Sequence, residues 1–560
     1  MEFVMTKKNW REASIYQIYP KSFNDANGDG IGDIQGIREK IPYLKELGID
    51  MVWLTPMQPS PQKDNGYDVS DYCAINPVYG TIEEFKVLLE ELHAEGIDMM
   101  LDMVLNHTST EHHWFQEAKK SKDNPYHDYY IWREGEPETL PNNWQSKFGG
   151  SSWAYNDATS EFYLHLFDVT QADLDWRNPK VREEIKAVLK FWADLGVDGF
   201  RLDVINLISK DDTFPDDYVG DGRRFYTDGE HVHAYLNEIN TEVFTPYGIL
   251  TVGEMSSTSM EACIQYTQPE NKELDMTFNF HHLKVDYKDG DKWQLKDMDF
   301  SQLKTLLSDW QTGMQAGGGW NALFWCNHDQ PRIVSRYGND SVEYREKSAK
   351  MLALAMHGLQ GTPYIYQGEE IGATNPKWRS IDEFMDVEST NMFEIMIKEG
   401  RTEAEAFETV CQRSRDNSRT PIPWSSADNA GFTTGKPWLK IAENYTTINV
   451  TEALERKDSV FYFYQHLIAL RKAEKTLVNG LFKRQDQDDA AVFAYDRVDG
   501  KEVLRVAANF TDETVTFEWS EDIRLAETLL TNYEGEATTY QTKVQLRPYE
   551  SIIWKGETLA

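Results

Sequence analysis

Short apolar or β-branched runs recur along the chain between charged stretches whose apolar residues repeat every three or four positions. In order, the runs are IYQIYP (15–20), MVWLTP (51–56), DMMLDMVLNH (98–107), GVDGFRLDV (196–204), ILTVGEM (249–255), ELDMTFNF (273–280), ALFWCNHD (322–329) and TPYIYQGEE (362–370). Each reads as a strand. GIREKIPYLKELG (36–48), TIEEFKVLLEELHAEG (81–96) and NPKVREEIKAVLKFWADLG (178–196) predict helices packed on one face. Eight strands alternating with helices predict an α/β fold, a (β/α)8 TIM barrel of parallel strands.

Two stretches interrupt this rhythm. Residues 108–177, after the third strand, are rich in aromatics and His and predict a folded subdomain inserted on the strand-end face. A second insertion, 371–430, follows the eighth strand and carries SRDNSRTPIPW. After a last helix near 460–474, the alternating runs AAVFAYDRV, EVLRVAANF, ETVTFEW and VQLRPYESIIW predict a C-terminal antiparallel β-domain. The expected division is a barrel over 1–107 and 178–480, the insertion over 108–177 and the β-domain over 481–560.

Composition narrows the function classes. With 57 Lys+Arg against 93 Asp+Glu the formal net charge is −36, which excludes a general nucleic-acid binder. Cys73, Cys263, Cys326 and Cys411 show no CxxC pairing, so a reducing cytoplasm is the expected setting. The start, MEFVMTKKNWREAS, lacks the apolar run of a secretory signal, and nothing resembles a membrane span. A protein that is a monomer or weak oligomer, acting on a small molecule, is expected.

In a barrel of this kind, polar groups at the C-terminal ends of the strands carry function. The third strand ends in Asp102, Asn106 and His107, the fourth in Arg201 and Asp203, the fifth in Glu254, the seventh in Asn327, His328 and Asp329. Residues two apart on a strand share a face, so Arg201 is expected to lower the pKa of Asp203 and suit it as a nucleophile. Glu254, behind the apolar ILTVG, is expected to keep its proton through burial and to act as an acid. One ionised and one protonated carboxyl flanking a bond is what glycoside hydrolysis requires. Tyr67, Phe167 and the insertion's Trp residues offer stacking surfaces for a sugar, and Asp64, His107, Arg201, His328 and Arg415 offer polar partners.

DMVLNH, GFRLDV, VGE and NHD, at the ends of strands three, four, five and seven, resemble the four signature segments of the α-amylase family, glycoside hydrolase family 13. The resemblance covers nearly the whole chain. It implies Asp203 as nucleophile, Glu254 as acid/base and Asp329 as transition-state stabiliser. It also implies that Asp64, Tyr67, His107, Arg201, His328 and Arg415 hold the non-reducing glucosyl ring, with retaining chemistry and no organic cofactor. RLDVINLIS and TVGEM resemble the branch acting on short oligosaccharides. DGRRFYTDGEHVH, NKELDMTFNFHHLKVDY and SRDNSRTPIPW are more similar to members that split a phosphorylated α-1,1-linked disaccharide into glucose and glucose 6-phosphate. The alternatives are an oligo-1,6-glucosidase or α-glucosidase on unphosphorylated oligosaccharides and, in a different class, a non-catalytic amylase-like binding subunit. The last expects lost carboxylates, whereas all three are present.

Two further segments bear on ligands. HHLKVDYKDGDKW brings His281, His282, Lys284, Lys288 and Lys292 within twelve residues, a cluster able to bind a phosphate, or else a hairpin whose lysines are balanced by Asp286, Asp289 and Asp291. The resemblance favours phosphate contacts by Lys284 and Lys292. The loop DANGDGIGD sets Asp25, Asn27, Asp29, the Ile31 carbonyl and Asp33 at alternating positions, like the first nine of a calcium loop, but Gly36 stands where an EF-hand has Glu. Spacing leaves a metal site and a solvated turn equally open, and the resemblance favours a structural Ca²⁺ or Mg²⁺. HTSTEHH (107–113) has three His residues but lacks a matching acidic or Cys partner at metal spacing, which argues against zinc.

Overall fold

Each of the eight apolar runs forms a strand: β1 (Ile15–Ile18), β2 (Met51–Leu54), β3 (Asp98–Val104), β4 (Gly199–Asp203), β5 (Leu250–Glu254), β6 (Met276–Phe278), β7 (Ala322–Leu323) and β8 (Thr362–Tyr366). They follow one another in a single sheet ordered β6-β5-β4-β3-β2-β1-β8-β7, the sequential parallel arrangement expected of the barrel class. The computed structural model describes residues 9–486, 489–535, 538–540 and 542–559, so the first residues of the start read above for a signal fall outside it. Among the described residues no helix is long and apolar enough to cross a membrane.

Two differences from the sequence pattern have local causes. The stretch 36–48 is two helices, α1 (Ile34–Glu39) and α2 (Ile41–Leu47), broken at Lys40. Pro42 has no N–H to give the preceding turn and fits only the start of a new helix. β7 stops at Leu323, and the Asn327 side chain then accepts the Asp329 N–H at 2.8 Å, turning NHD out of the strand. The other helices follow their periodicity. α3 (Ile82–Ala94) starts at a Thr81/Glu84 capping box and α4 (Pro179–Asp194) at an Asn178 cap with Pro179 behind it.

The chain divides into two compact units. The first comprises Trp53–Phe280 and Phe384–Phe407. In it β3 pairs β4, β4 pairs β5 and β5 pairs β6, all parallel. The insertion adds a three-stranded antiparallel sheet, Trp132–Glu134, Trp153–Asn156 and Glu161–Leu164, and a small ladder of His107–Ser109 with Gln171–Asp173. Trp144, Trp153, Phe162, Leu164 and Leu166 of the insertion share one apolar cluster with Val204, Leu207, Phe214 and Tyr226. The insertion is thereby anchored on the segment that follows β4.

The second unit comprises Asn9–Val52, His281–Glu383 and Glu408–Ala560. Here β1 and β7 both pair β8 in parallel. The C-terminal antiparallel domain is a two-sheet sandwich. One sheet joins β9 (Leu481–Arg484), β10 (Val492–Asp499), β11 (Glu502–Asn509), β16 (Ser551–Thr558) and β13 (Ile523–Thr531). The other joins β12 (Val515–Glu518), β15 (Lys543–Leu546) and β14 (Thr538–Tyr540). Val492, Ala507, Ile552 and Trp554 of the first sheet meet Phe517, Val544 and Leu546 of the second in one core. The run VQLRPYESIIW is therefore two strands, in different sheets, separated by a turn with Pro548 and with Tyr549 at φ +52°.

Candidate active site

In the first unit the register of three parallel strands assembles the chemistry. Asp102 on β3 lies opposite Arg201 on β4, and Val252 on β5 lies opposite Arg201 in turn, so Glu254, two residues further along β5, faces the same side. The Arg201 guanidinium, 1% exposed, sits over the Trp53 and Tyr67 rings at 5.2 and 5.7 Å. Its Nη1 donates to Asp102 Oδ1 at 2.8 Å and to Asp203 Oδ1 at 2.7 Å, and its Nη2 donates to Glu254 Oε2. One cation thus gathers three carboxyl groups.

These carboxyls cannot all be ionised cheaply around a single buried charge. Burial raises Asp203 to about 6, against the lowering effect of Arg201. The sequence reading assigned the direction to Arg201 alone; desolvation outweighs it, because the side chain is almost wholly removed from water. Glu254 and Arg201 both favour the charged form of Asp203 against that burial, and the two carboxyls sit side by side on the Nη1 and Nη2 groups of one guanidinium. Asp102 is raised by burial as well, while Arg201 and the Tyr67 hydroxyl at 2.9 Å support its charged form. Val204, directly after Asp203, adopts φ +37°, a conformation costly for a β-branched residue, and its N–H points at Glu254 Oε2 at 3.3 Å.

A second cluster in the same unit joins the predicted sugar-binding residues. The Gln171 amide donates to Asp64 Oδ2 at 3.1 Å and to the Tyr67 carbonyl at 3.2 Å, and lies 3.3 Å from His107 Nε2. Phe167, half-buried, packs on the His107 ring at 5.1 Å. Burial lowers His107 to about 4, so the ring is neutral and able to exchange directional hydrogen bonds. Below it, Lys210 bonds Asn106 at 2.7 Å and pairs with Asp173 at 2.9 Å. Asp68 shapes the KDNGYD turn by accepting from Ser60 Oγ and from the Lys63 and Asp64 N–H groups. Asp203, Glu254, Arg201, Asp64, Tyr67, His107 and Phe167 thus all lie in this unit.

In the second unit Asp329 is met by Arg419 Nη2 at 2.8 Å, His328 Nε2 at 3.3 Å and Arg415 Nη1 at 3.5 Å. Gln17 fixes the other ring nitrogen of His328 at 2.8 Å, and Tyr19 stacks on that ring at 6.1 Å. Arg419, fully buried, also donates to the His328 carbonyl. It escaped the sequence reading although it stands one helical turn after Arg415 in Asp416–Arg419, a spacing that could have exposed it.

Lys284 and Lys292 are half-buried, Lys292 within a turn closed by a Tyr287–Leu295 bridge and Lys284 just before it, with the Lys292 ammonium 4.9 Å over the Trp293 ring. Asp286 does not serve to balance these lysines. Arg336 and Arg413 grip it at 2.8 and 2.5 Å and, against burial, hold its carboxyl below the usual range.

The DANGDGIGD loop has an all-oxygen donor set of the kind a hard cation takes. Asp25 and Asp33 are buried, and their carboxylates accept loop N–H groups, Asp25 from Gly28 and Gly30 at 2.7 Å and Asp33 from Gly36 at 2.6 Å. Asn27 and Asp29 accept from Asp29 and Ile31 at 2.9 Å. Each carboxylate keeps further lone pairs, so the loop's residues fit such an ion. Elsewhere among the described residues, His93, Asp98 and Asp198 bring metal-capable atoms within 4.8 Å, but His93 and the Met99 N–H both bond Asp198 there, at 2.7 and 2.9 Å. HTSTEHH is not part of that group.

Comparison with known proteins gives the family. The α-amylase catalytic-domain model matches residues 17–480, and the C-terminal domain model of the α-amylase SusG matches residues 492–553. The chain belongs to the α-amylase family. Within it, the chain is 54% identical to a trehalose-6-phosphate hydrolase of Bacillus subtilis over 98% of both chains. It is 48% identical to an oligo-1,6-glucosidase of Bacillus cereus over 98% of this chain and 100% of that one. The crystal structure of a Bacillus licheniformis trehalose-6-phosphate hydrolase superimposes with a TM-score of 0.94 at 53% identity, covering 99% of this chain and 100% of that one. Family membership makes the chain a glycoside hydrolase.

Proposed function

We propose that this glycoside hydrolase cleaves trehalose 6-phosphate to glucose and glucose 6-phosphate, with retention, in the cytoplasm. The observation that supports the mechanism is that Asp203 and Glu254 accept from the two amino groups, Nη1 and Nη2, of the single Arg201 guanidinium, which holds them side by side. Carboxyls gathered on one guanidinium suit the close spacing of a retaining pair, about 5–5.5 Å, rather than the roughly 6.5–9.5 Å that an inverting pair needs for its water. Asp203 attacks the anomeric carbon while Glu254 passes its proton to the glycosidic oxygen, releasing glucose 6-phosphate and leaving a glucosyl ester on Asp203. Water then attacks that ester as Glu254 takes its proton, so glucose leaves and both carboxyls return to their starting states.

Asp64, Tyr67, His107, Phe167, Arg201, His328 and Arg415 hold the transferred glucosyl ring in this reading, and Asp329 stabilises its oxocarbenium-like transition state. The substrate follows from the relatives: identity is higher to hydrolases of trehalose 6-phosphate than to oligo-1,6-glucosidases. Lys284 and Lys292, whose neighbour Asp286 is committed to two arginines, supply positive charge for the phosphate. Wild-type enzyme should favour trehalose 6-phosphate over isomaltose by roughly hundredfold or more in kcat/KM, the worth of one to two charge-assisted contacts. Lys292→Ala should narrow that preference. A preference for isomaltose would make the protein an oligo-1,6-glucosidase.

Asp25, Asn27, Asp29, the Ile31 carbonyl and Asp33 would hold a Ca²⁺ or Mg²⁺ that ties the loop together without entering the reaction. Exhaustive chelation should lower the Tm by roughly 5 °C, as expected for losing an ion present at about a hundred times its Kd, while turnover at low temperature survives. An unchanged Tm would remove the ion from the loop.

A further inference from the structure

Lys147, in the insertion, stands beside the strand that carries Glu254. Its ammonium lies 3.1 Å from the Ser256 hydroxyl, two residues past the acid. Both frames are stiff. The Ser256 N–H donates to Asn206 Oδ1 and the Asn206 amide donates to the Ser256 carbonyl, each at 2.9 Å. On the other side the Lys147 N–H donates to the Leu166 carbonyl at 2.8 Å, Ser146 Oγ donates to the Phe167 carbonyl at 2.6 Å, and Phe148 packs on the Phe167 ring at 5.7 Å. The half-buried ammonium is therefore set between the aromatic wall of the glucosyl site and the strand of the acid. The ammonium lies 5.5 Å from the Tyr226 ring and favours the charged form of Asp221, whose two oxygens hold Arg223.

The acid must reach the glycosidic oxygen, so groups adjoining Glu254 on the segment that leaves its strand flank the departing sugar. We propose that Lys147, steadied by Ser256, is a specificity-determining residue that contacts the phosphate of the departing glucose 6-phosphate. This rests on trehalose 6-phosphate being the substrate. A lysine ammonium binds phosphate as a compact point charge, and a hydroxyl beside it adds a donor.

The test compares trehalose 6-phosphate with trehalose, which differs from it by the phosphate alone, in wild type, Lys147→Ala and Lys147→Arg. Lys147→Ala should lose roughly ten- to hundredfold more kcat/KM on the phosphorylated sugar than on trehalose, mostly through KM, and Lys147→Arg should recover most of the difference. Inhibition by glucose 6-phosphate should weaken by a similar factor in Lys147→Gln, which keeps the length and loses the charge. Equal losses on both sugars, or an unchanged Ki for glucose 6-phosphate, would reduce Lys147 to a pin between insertion and strand. A wild type that does not distinguish the two sugars would overturn the substrate assignment and this one with it. A discriminating wild type whose ratio survives Lys147→Ala would overturn this one alone.

Discussion

Asp203→Asn should fold as the wild type does and lose roughly 10⁴-fold or more in kcat, the scale seen when a covalent nucleophile is removed. The fold is expected to tolerate the change because the amide matches the carboxylate in shape and its oxygen can still accept from Arg201 Nη1, now at 2.7 Å. The substitution also removes one of three acidic groups crowded on a single guanidinium, so the Tm should not fall. What disappears is the nucleophile. Turnover within tenfold of wild type would refute the role. The wild-type pH profile carries the companion signature: Asp203 must be ionised to attack, and burial raises it to about 6. kcat/KM should therefore decline as pH falls through about 6, rather than holding until the ordinary carboxylate range near 4.

The pieces of this site legible in the sequence are those fixed by short-range geometry. Arg201 and Asp203 share a face because a strand has period two, and GFRLDV shows that by itself. Glu254 behind ILTVG is visible as a charge closing an apolar run, and so is Asp329 of NHD, which belongs to the second unit's own cluster. Which force decides the charge state of Asp203 depends on how completely the strands bury it, and that is a property of packing. Asp102 is visible as a strand-end carboxylate, but its place opposite Arg201 comes only from the β3–β4 register. Gln171 and Lys147 belong to the insertion, and their contacts with Asp64 and Ser256 span 107 and 109 residues, beyond the reach of any local pattern. In the fold, the periodicities locate every barrel strand, whereas the breaks at Pro42 and Tyr549 are backbone events inside otherwise continuous apolar patterns.

Glu254→Gln should separate the two steps of the reaction. In the first step the proton of Glu254 goes to the leaving oxygen, and how much that matters depends on the basicity of the leaving group. A sugar alkoxide is strongly basic, so trehalose 6-phosphate should be cleaved roughly 10³-fold more slowly, within the range for loss of a positioned acid. A nitrophenolate leaves without a proton, so a nitrophenyl α-glucoside should still transfer its glucosyl group to Asp203. The second step then stalls, because the water that hydrolyses the ester needs the Glu254 carboxylate as base and the amide cannot accept its proton. The expected record is a burst of nitrophenolate near one equivalent per active site, followed by a slow phase, with a glucosyl adduct detectable by mass on the peptide containing Asp203. Both carboxyls now bond the same guanidinium, so the variant sets an amide NH2 beside Arg201 where the carboxyl had an oxygen, and some weakening of binding should accompany the kinetic change. That weakening would slow both substrates alike and could not create a burst. Equal loss on the two substrates without a burst would therefore leave Glu254 a structural partner of Arg201 and require a different acid.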